Sequence, residues 1–138
     1  EGGGNFAIHL LLAQTEDPDA VPRDLSGAEG PPVEDGLPAW SPDGRKIAFT
    51  RRYTAGPDLN LGRQIWLMQA DGTGARRLTL DQTQGYGQPQ WSPDGRLLAV
   101  QSVSTVDLGA EPALLVLDAA DGRVLARVER ALLPSWLP

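Results

Sequence analysis

Pro38-Ala39-Trp40-Ser41-Pro42-Asp43-Gly44-Arg45 returns as Pro89-Gln90-Trp91-Ser92-Pro93-Asp94-Gly95-Arg96, with the second tryptophan 51 residues after the first. A shortened third copy, Pro134-Ser135-Trp136-Leu137-Pro138, places Trp136 45 residues after Trp91. Self-similarity at a spacing of tens of residues is the mark of stacked supersecondary units such as solenoids and propellers. Within each copy, Ser-Pro-Asp-Gly has proline early and glycine late, the chemistry of a tight turn. Leu37 to Trp40 before the first turn reads as extended. Arg45 to Thr50 after it alternates, with Ile47 and Phe49 on one side, so the phrase encodes a hairpin.

Working outward, Gln64 to Ala70 is a nearly continuous apolar strand, Asp71-Gly72 turns it, and Arg76 to Leu80 makes a fourth strand. The second copy has the same grammar: strands at Gly87 to Trp91, Arg96 to Ser102, Ala113 to Ala119 and Arg123 to Glu129. Ahead of the first copy, Ile8 to Ala13 aligns with Ile65 to Ala70, and Arg23 to Ser26 aligns with Arg76 to Thr79. Gly27 to Gly36 reads as a loop. The expected organisation is a partial unit over 1–36, complete units over 37–86 and 87–132, and the first strand of a further unit over 133–138. Four antiparallel strands in about 40 to 50 residues, packed on both faces, make the blade of a β-propeller. The fold class is therefore all-β, a partial propeller of slightly under three blades. Typical rings have four to eight blades, so the sequence reads as a segment of a longer propeller or as one of several copies that complete a ring together.

The 138 residues contain 12 Pro, 16 Gly and no Cys, which excludes a disulfide framework and thiolate metal sites. A formal net charge of −6 opposes nucleic acid as a partner, because that affinity comes from Lys and Arg neutralising phosphates. No apolar run approaches the length of a membrane span. The chain opens at Glu1, which suggests a processed product or a piece of something longer.

The phrase Pro-x-Trp-Ser-Pro-Asp-Gly-Arg, followed by Ile65-Trp66-Leu67-Met68 and by Asp71-Gly72-Thr73-Gly74-Ala75-Arg76-Arg77-Leu78-Thr79, resembles the TolB-type propeller repeat. The resemblance is strongest over residues 38–100. It departs from the family where the first unit lacks its Trp-Ser-Pro-Asp-Gly hairpin and where the amino-terminal domain of TolB has no counterpart. It implies a bacterial, extracytoplasmic propeller that binds a protein partner, located in the periplasm, at the cell surface or secreted.

Candidate residues fall into two groups. Trp40, Asp43, Gly44, Trp91, Asp94, Gly95 and Trp136 recur at one repeat position and read as structural, the tryptophans packing between blades and each aspartate bonding its own turn. The long, dissimilar loops emerge on the face opposite the short turns, and loops on a rigid scaffold are where recognition sits. Arg51, Arg52, Tyr53, Arg63 and Tyr86 are the contacts expected on that face, since Arg and Tyr are favoured at binding hot spots. His9, the sole histidine, lies in an apolar strand and reads as packed rather than catalytic. Glu16, Asp17 and Asp19 match no complete calcium loop, and Gly72-Thr73-Gly74 lacks the third glycine and the helix of a dinucleotide site. No metal and no cofactor are expected. The main expectation is a non-catalytic interaction scaffold, not an enzyme. The alternative is the propeller portion of a larger prolyl-oligopeptidase-type peptidase whose catalytic domain is not in this chain.

Overall fold

Ser-Pro-Asp-Gly folds the same way twice. The computed structural model describes residues 9, 11–12, 17, 19–26, 32–60, 62–132 and 134–136. In the first turn the Ser41 hydroxyl donates to Asp43 Oδ1 at 2.6 Å, the Arg45 N–H donates to the same oxygen at 3.1 Å, and the Lys46 N–H donates to Ser41 Oγ at 2.9 Å. Ser92, Asp94, Arg96 and Leu97 repeat these bonds at 2.6, 3.1 and 3.0 Å. Gly44 and Gly95 both sit at φ +69°, a left-handed conformation open to glycine at little cost.

All eleven described elements are strands. A hairpin of β1 (Leu11–Leu12) and β2 (Arg23–Asp24) comes first. A four-stranded antiparallel sheet follows, in the order β3 (Val33–Trp40), β4 (Lys46–Tyr53), β5 (Gln64–Gln69), β6 (Arg76–Arg77). The last sheet runs from β11 (Val124–Glu129) through β10 (Ala113–Asp118) to β9 (Leu97–Ser104), which pairs with both β7 (Gln84–Tyr86) and β8 (Gln90–Trp91). Since β7 and β8 flank the same strand, they are two halves of one first strand, and the sheet is a four-stranded unit like its neighbour. The result is an unclosed stack of between two and three blades, the partial propeller expected from the repeat. No helix among the described residues is long and apolar enough to cross a membrane.

Three boundaries differ from the sequence reading, for one physical reason each. The first strand of the first sheet begins at Val33, inside the stretch read as a loop, because Val33, Glu34 and Asp35 pair with Tyr53, Arg52 and Arg51. The strand expected over Gly87 to Trp91 is split, and Gln84 to Tyr86, which lay outside the expected strands, forms its first half. Pro89 has no N–H to give a ladder, so pairing stops there. Pro38 occupies the same place in β3, where the register shifts between Gly36 and Ala39 and Leu37 adopts φ +50°. The fourth strand of the first sheet shrinks to Arg76–Arg77, its Thr79 hydroxyl accepting the Ile65 N–H at 2.9 Å in place of a ladder carbonyl. Residues 134–136 carry no strand.

The main core lies between the two sheets. Ala48, Ile65 and Leu67 of the first face Leu98, Val100 and Leu117 of the second, and burial of each large aliphatic side chain contributes about 1.5–3 kcal/mol. A second cluster, Ile47, Phe49 and Met68, faces the opposite way and packs against Leu25 and Trp66. Contacts between successive units repeat. The Trp91 indole N–H donates to the Ala39 carbonyl and the Trp136 indole N–H to the Gln90 carbonyl, each at 3.0 Å and each to the residue ahead of the preceding tryptophan's position. Gly72 rests on Leu25, and Gly122 rests on Leu78. Arg23 donates to the Asp71 carbonyl and Arg76 to the Ala120 carbonyl, both at 2.7 Å.

Two substitutions test these joints. A Cβ at Gly122 would stand 2.2 Å from the Leu78 carbonyl oxygen, at φ +79°. Gly122→Ala is expected to cost more than the roughly 1–2 kcal/mol of left-handed strain alone, read as a lowered urea midpoint. Trp91→Phe, which removes one hydrogen bond and some packing, is expected to cost about 1–2 kcal/mol, and an unchanged midpoint would show the bond to be idle.

Candidate functional site

The end of the first sheet that carries the long loops holds a charged cluster built by the register of β3 against β4. Asp35 lies opposite Arg51, and the two form a bidentate pair, Arg51 Nε to Asp35 Oδ1 at 2.6 Å and Nη2 to Oδ2 at 2.5 Å. Both are buried, at 8% and 1% exposure. The same guanidinium donates to the Ser26 carbonyl at 3.2 Å and lies 5.3 Å from the Phe49 ring centre and 5.0 Å from that of Trp66. Burial works against its charge, but the bonds and field of Asp35 outweigh it and leave the Arg51 pKa raised. Next door, Glu34 Oε2 accepts from Arg52 at 2.6 Å and from Arg63 at 3.1 Å, so two cations share one carboxylate.

The five expected loop-face contacts thus have distinct placements. Arg51 is an interior residue tying the first hairpin to the next sheet. Arg52 and Arg63 are half-buried and brought together by Glu34. Tyr53, also half-buried, sets its ring edge-on to Trp66 at 6.3 Å. Tyr86 is buried in β7 at 7% exposure, its hydroxyl pKa raised by burial first and by Asp81 second, and its N–H donates to the Arg63 carbonyl at 2.8 Å. Glu34 and Asp35, the residues that organise this end, were not singled out in the sequence. The one available signal was their acidic pair seventeen residues ahead of Arg51-Arg52, legible only once Val33 to Gly36 is known to be a strand.

At the short-turn end, the hydroxyls of Ser41, Thr73 and Ser92, followed in each case by a main-chain N–H, hold Asp43, Asp71 and Asp94 below the usual carboxylate range. Trp40 is 48% exposed, whereas Trp91 and Trp136 are half-buried against the preceding unit. His9 is half-buried with Nδ1 2.5 Å from Asp24 Oδ2. Glu16 lies outside the described residues, and Asp17 accepts the Asp19 N–H at 3.0 Å. Among the described residues no three potential metal ligands converge.

The chain is 40% identical over 72 residues to YuxL, an uncharacterised peptidase of Bacillus subtilis strain 168, a match that takes in 52% of this chain and 9% of YuxL. Its fold superposes on a protein assigned as TolB from Agrobacterium tumefaciens with a TM-score of 0.57 and 26% identity, covering 79% of this chain and 38% of that one. It also superposes on the acylaminoacyl peptidase of Pyrococcus horikoshii with a TM-score of 0.54 and 17% identity, covering 81% of this chain and 19% of the peptidase. No family model matches. The likenesses in fold establish a TolB-like, propeller-type all-β architecture, and the chain spans well under half the length of each of these relatives. The match to YuxL corrects two expectations together, that the chain is a non-catalytic interaction scaffold and that it is not an enzyme, in favour of the peptidase-associated alternative.

The charged cluster and the turn aspartates each give an expected outcome. Asp35→Ala leaves a buried guanidinium unpaired and is expected to lower stability by about 3–5 kcal/mol, whereas joint replacement by Asp35→Leu and Arg51→Met costs much less; chemical denaturation of the two variants compares them. A carboxylate with a lowered folded pKa contributes stability that is complete above its unfolded value, about pH 4, and is lost as the pH falls through the folded value. Ser92→Ala is expected to move the Asp94 carboxyl titration upward in NMR and to make the acid-unfolding limb below about pH 4 shallower.

Proposed function

We propose that the chain supplies propeller blades to a larger serine peptidase of the prolyl-oligopeptidase type, with the hydrolytic residues carried elsewhere in the longer protein. The observation that carries this reading is the 40% identity over 72 residues with YuxL. The likeness in fold to an acylaminoacyl peptidase supports the architecture it requires. In this reading the two four-stranded sheets, β3 to β6 and β7 to β11, are two blades of a ring of TolB-type repeats, the second seated on the first through Trp91, Gly122 and Arg76. The ring's role is positional. Its stacked sheets bound the approach to the catalytic domain and admit chains by width, and the loop-end groups Arg52, Tyr53 and Arg63 face the remainder of the protein. The extracytoplasmic setting that the repeat resemblance implies draws its support from the TolB likeness alone.

Expression of the complete coding sequence tests the proposal through reaction with a fluorophosphonate and turnover of acyl-peptide nitroanilides. Labelling of one serine in the full-length product, with the 138-residue chain alone unlabelled, is the expected result. A full-length product with no fluorophosphonate-reactive serine overturns it.

A further inference from the structure

Where the short turns of the last sheet meet the start of β4, a recess of about 510 Å³ opens. Three cations line it, Lys46, Arg96 and Arg123, against one carboxylate, Asp118, with Leu97 and Leu125 as apolar wall. Asp118 is already engaged, its Oδ1 accepting the Ala120 N–H at 2.8 Å. Lys46 and Arg123 make no ion pair among the described residues. Arg96 lies in the field of Asp94, whose Oδ1 is taken by the Ser92 hydroxyl and the Arg96 N–H. The recess therefore reverses the sign of a chain whose net charge is −6.

Cations gathered in a concavity raise the local potential and draw anions to it, and guanidinium groups offer carboxylates paired donors. The surroundings select among anions. An adjoining recess of about 310 Å³ shares Lys46 and is bordered by Asp43 and Asp94, so a dense polyanion crossing both would meet two fixed carboxylates. A chain with spaced negative charges and aliphatic stems fits the cations and the leucine wall together. We infer that this recess binds an acidic peptide segment, its carboxylates held by Lys46, Arg96 and Arg123. The site needs no catalysis and stands apart from the peptidase reading.

The test titrates the full chain against a dye-labelled peptide of alternating glycine and glutamate, followed by fluorescence anisotropy, with a glycine–glutamine peptide and an oligonucleotide of equal charge as comparisons. The glutamate peptide is expected to bind in a salt-sensitive manner. Lys46→Gln, Arg96→Gln and Arg123→Gln should each weaken it about threefold, the scale of one exposed ion pair, while Arg127→Gln leaves it unchanged. Lys46 is the sole lysine of the chain, so its protection from acetylation by bound peptide is a second readout in the unsubstituted protein, scored by mass spectrometry. Equal binding of the glutamine peptide, indifference to all three substitutions, or tighter binding of the oligonucleotide overturns the inference.

Discussion

The joint between neighbouring units turns on an indole N–H that reaches a main-chain carbonyl. A tryptophan packed against a neighbouring sheet has one polar atom, the indole N–H donor, and is best served by an acceptor on that sheet. Trp91 meets that need at the Ala39 carbonyl and Trp136 at the Gln90 carbonyl. The acceptors are available because the first strand of each sheet has a ladder neighbour on one side only, so some of its carbonyls point away from the sheet. The hydrogen bond fixes the rotation of one unit on the next, and the apolar faces, the turn glycines and the strand-four arginines then fall into contact.

The two ends of the stack solve different problems. At the short-turn end, serine, aspartate and glycine satisfy one another within a few residues, so the two Ser-Pro-Asp-Gly turns repeat almost atom for atom. The long-loop end of the first sheet is held by bonds between elements, Arg51 with Asp35 and with the Ser26 carbonyl, and Arg63 with Glu34. In the last sheet the position facing Tyr86 is Ser102, whose hydroxyl donates to Gln84 at 2.7 Å. The first sheet thus carries a charged pair at this end where the last sheet carries a neutral one. Only the charged one reaches outside its sheet, through the Arg51 bond to the Ser26 carbonyl.

What the sequence discloses follows from which interactions are local. The hairpins, the strand grammar and the blade architecture could be read because Trp-Ser-Pro-Asp-Gly closes its own hydrogen bonds within a few positions and does so twice. The tryptophans could be assigned to packing because they recur, although the acceptor carbonyls could not. Arg51 and Tyr86 looked like surface contacts because each follows or sits in a polar stretch, and their burial depends on partners, Asp35 and the facing sheet, that only the register reveals. Lys46, Arg96 and Arg123 converge from two sheets and three turns, so no spacing in the chain announces them. The link with peptidases came from likeness to other proteins, since within the chain Trp40, Asp43 and their repeats serve architecture rather than chemistry.

Proline two residues before each repeated tryptophan breaks the first strand, as a bulge at Leu37 in one sheet and as a gap between Tyr86 and Gln90 in the other. An unbroken edge strand is a template on which any extended chain can hydrogen-bond. With the ladder interrupted at Pro38 and Pro89, a polypeptide sliding along these edges finds only a few adjacent donors and acceptors before the pattern fails. Such an edge resists the capture of an extended chain as an added strand, and it guards equally against copies of the protein zipping together along it.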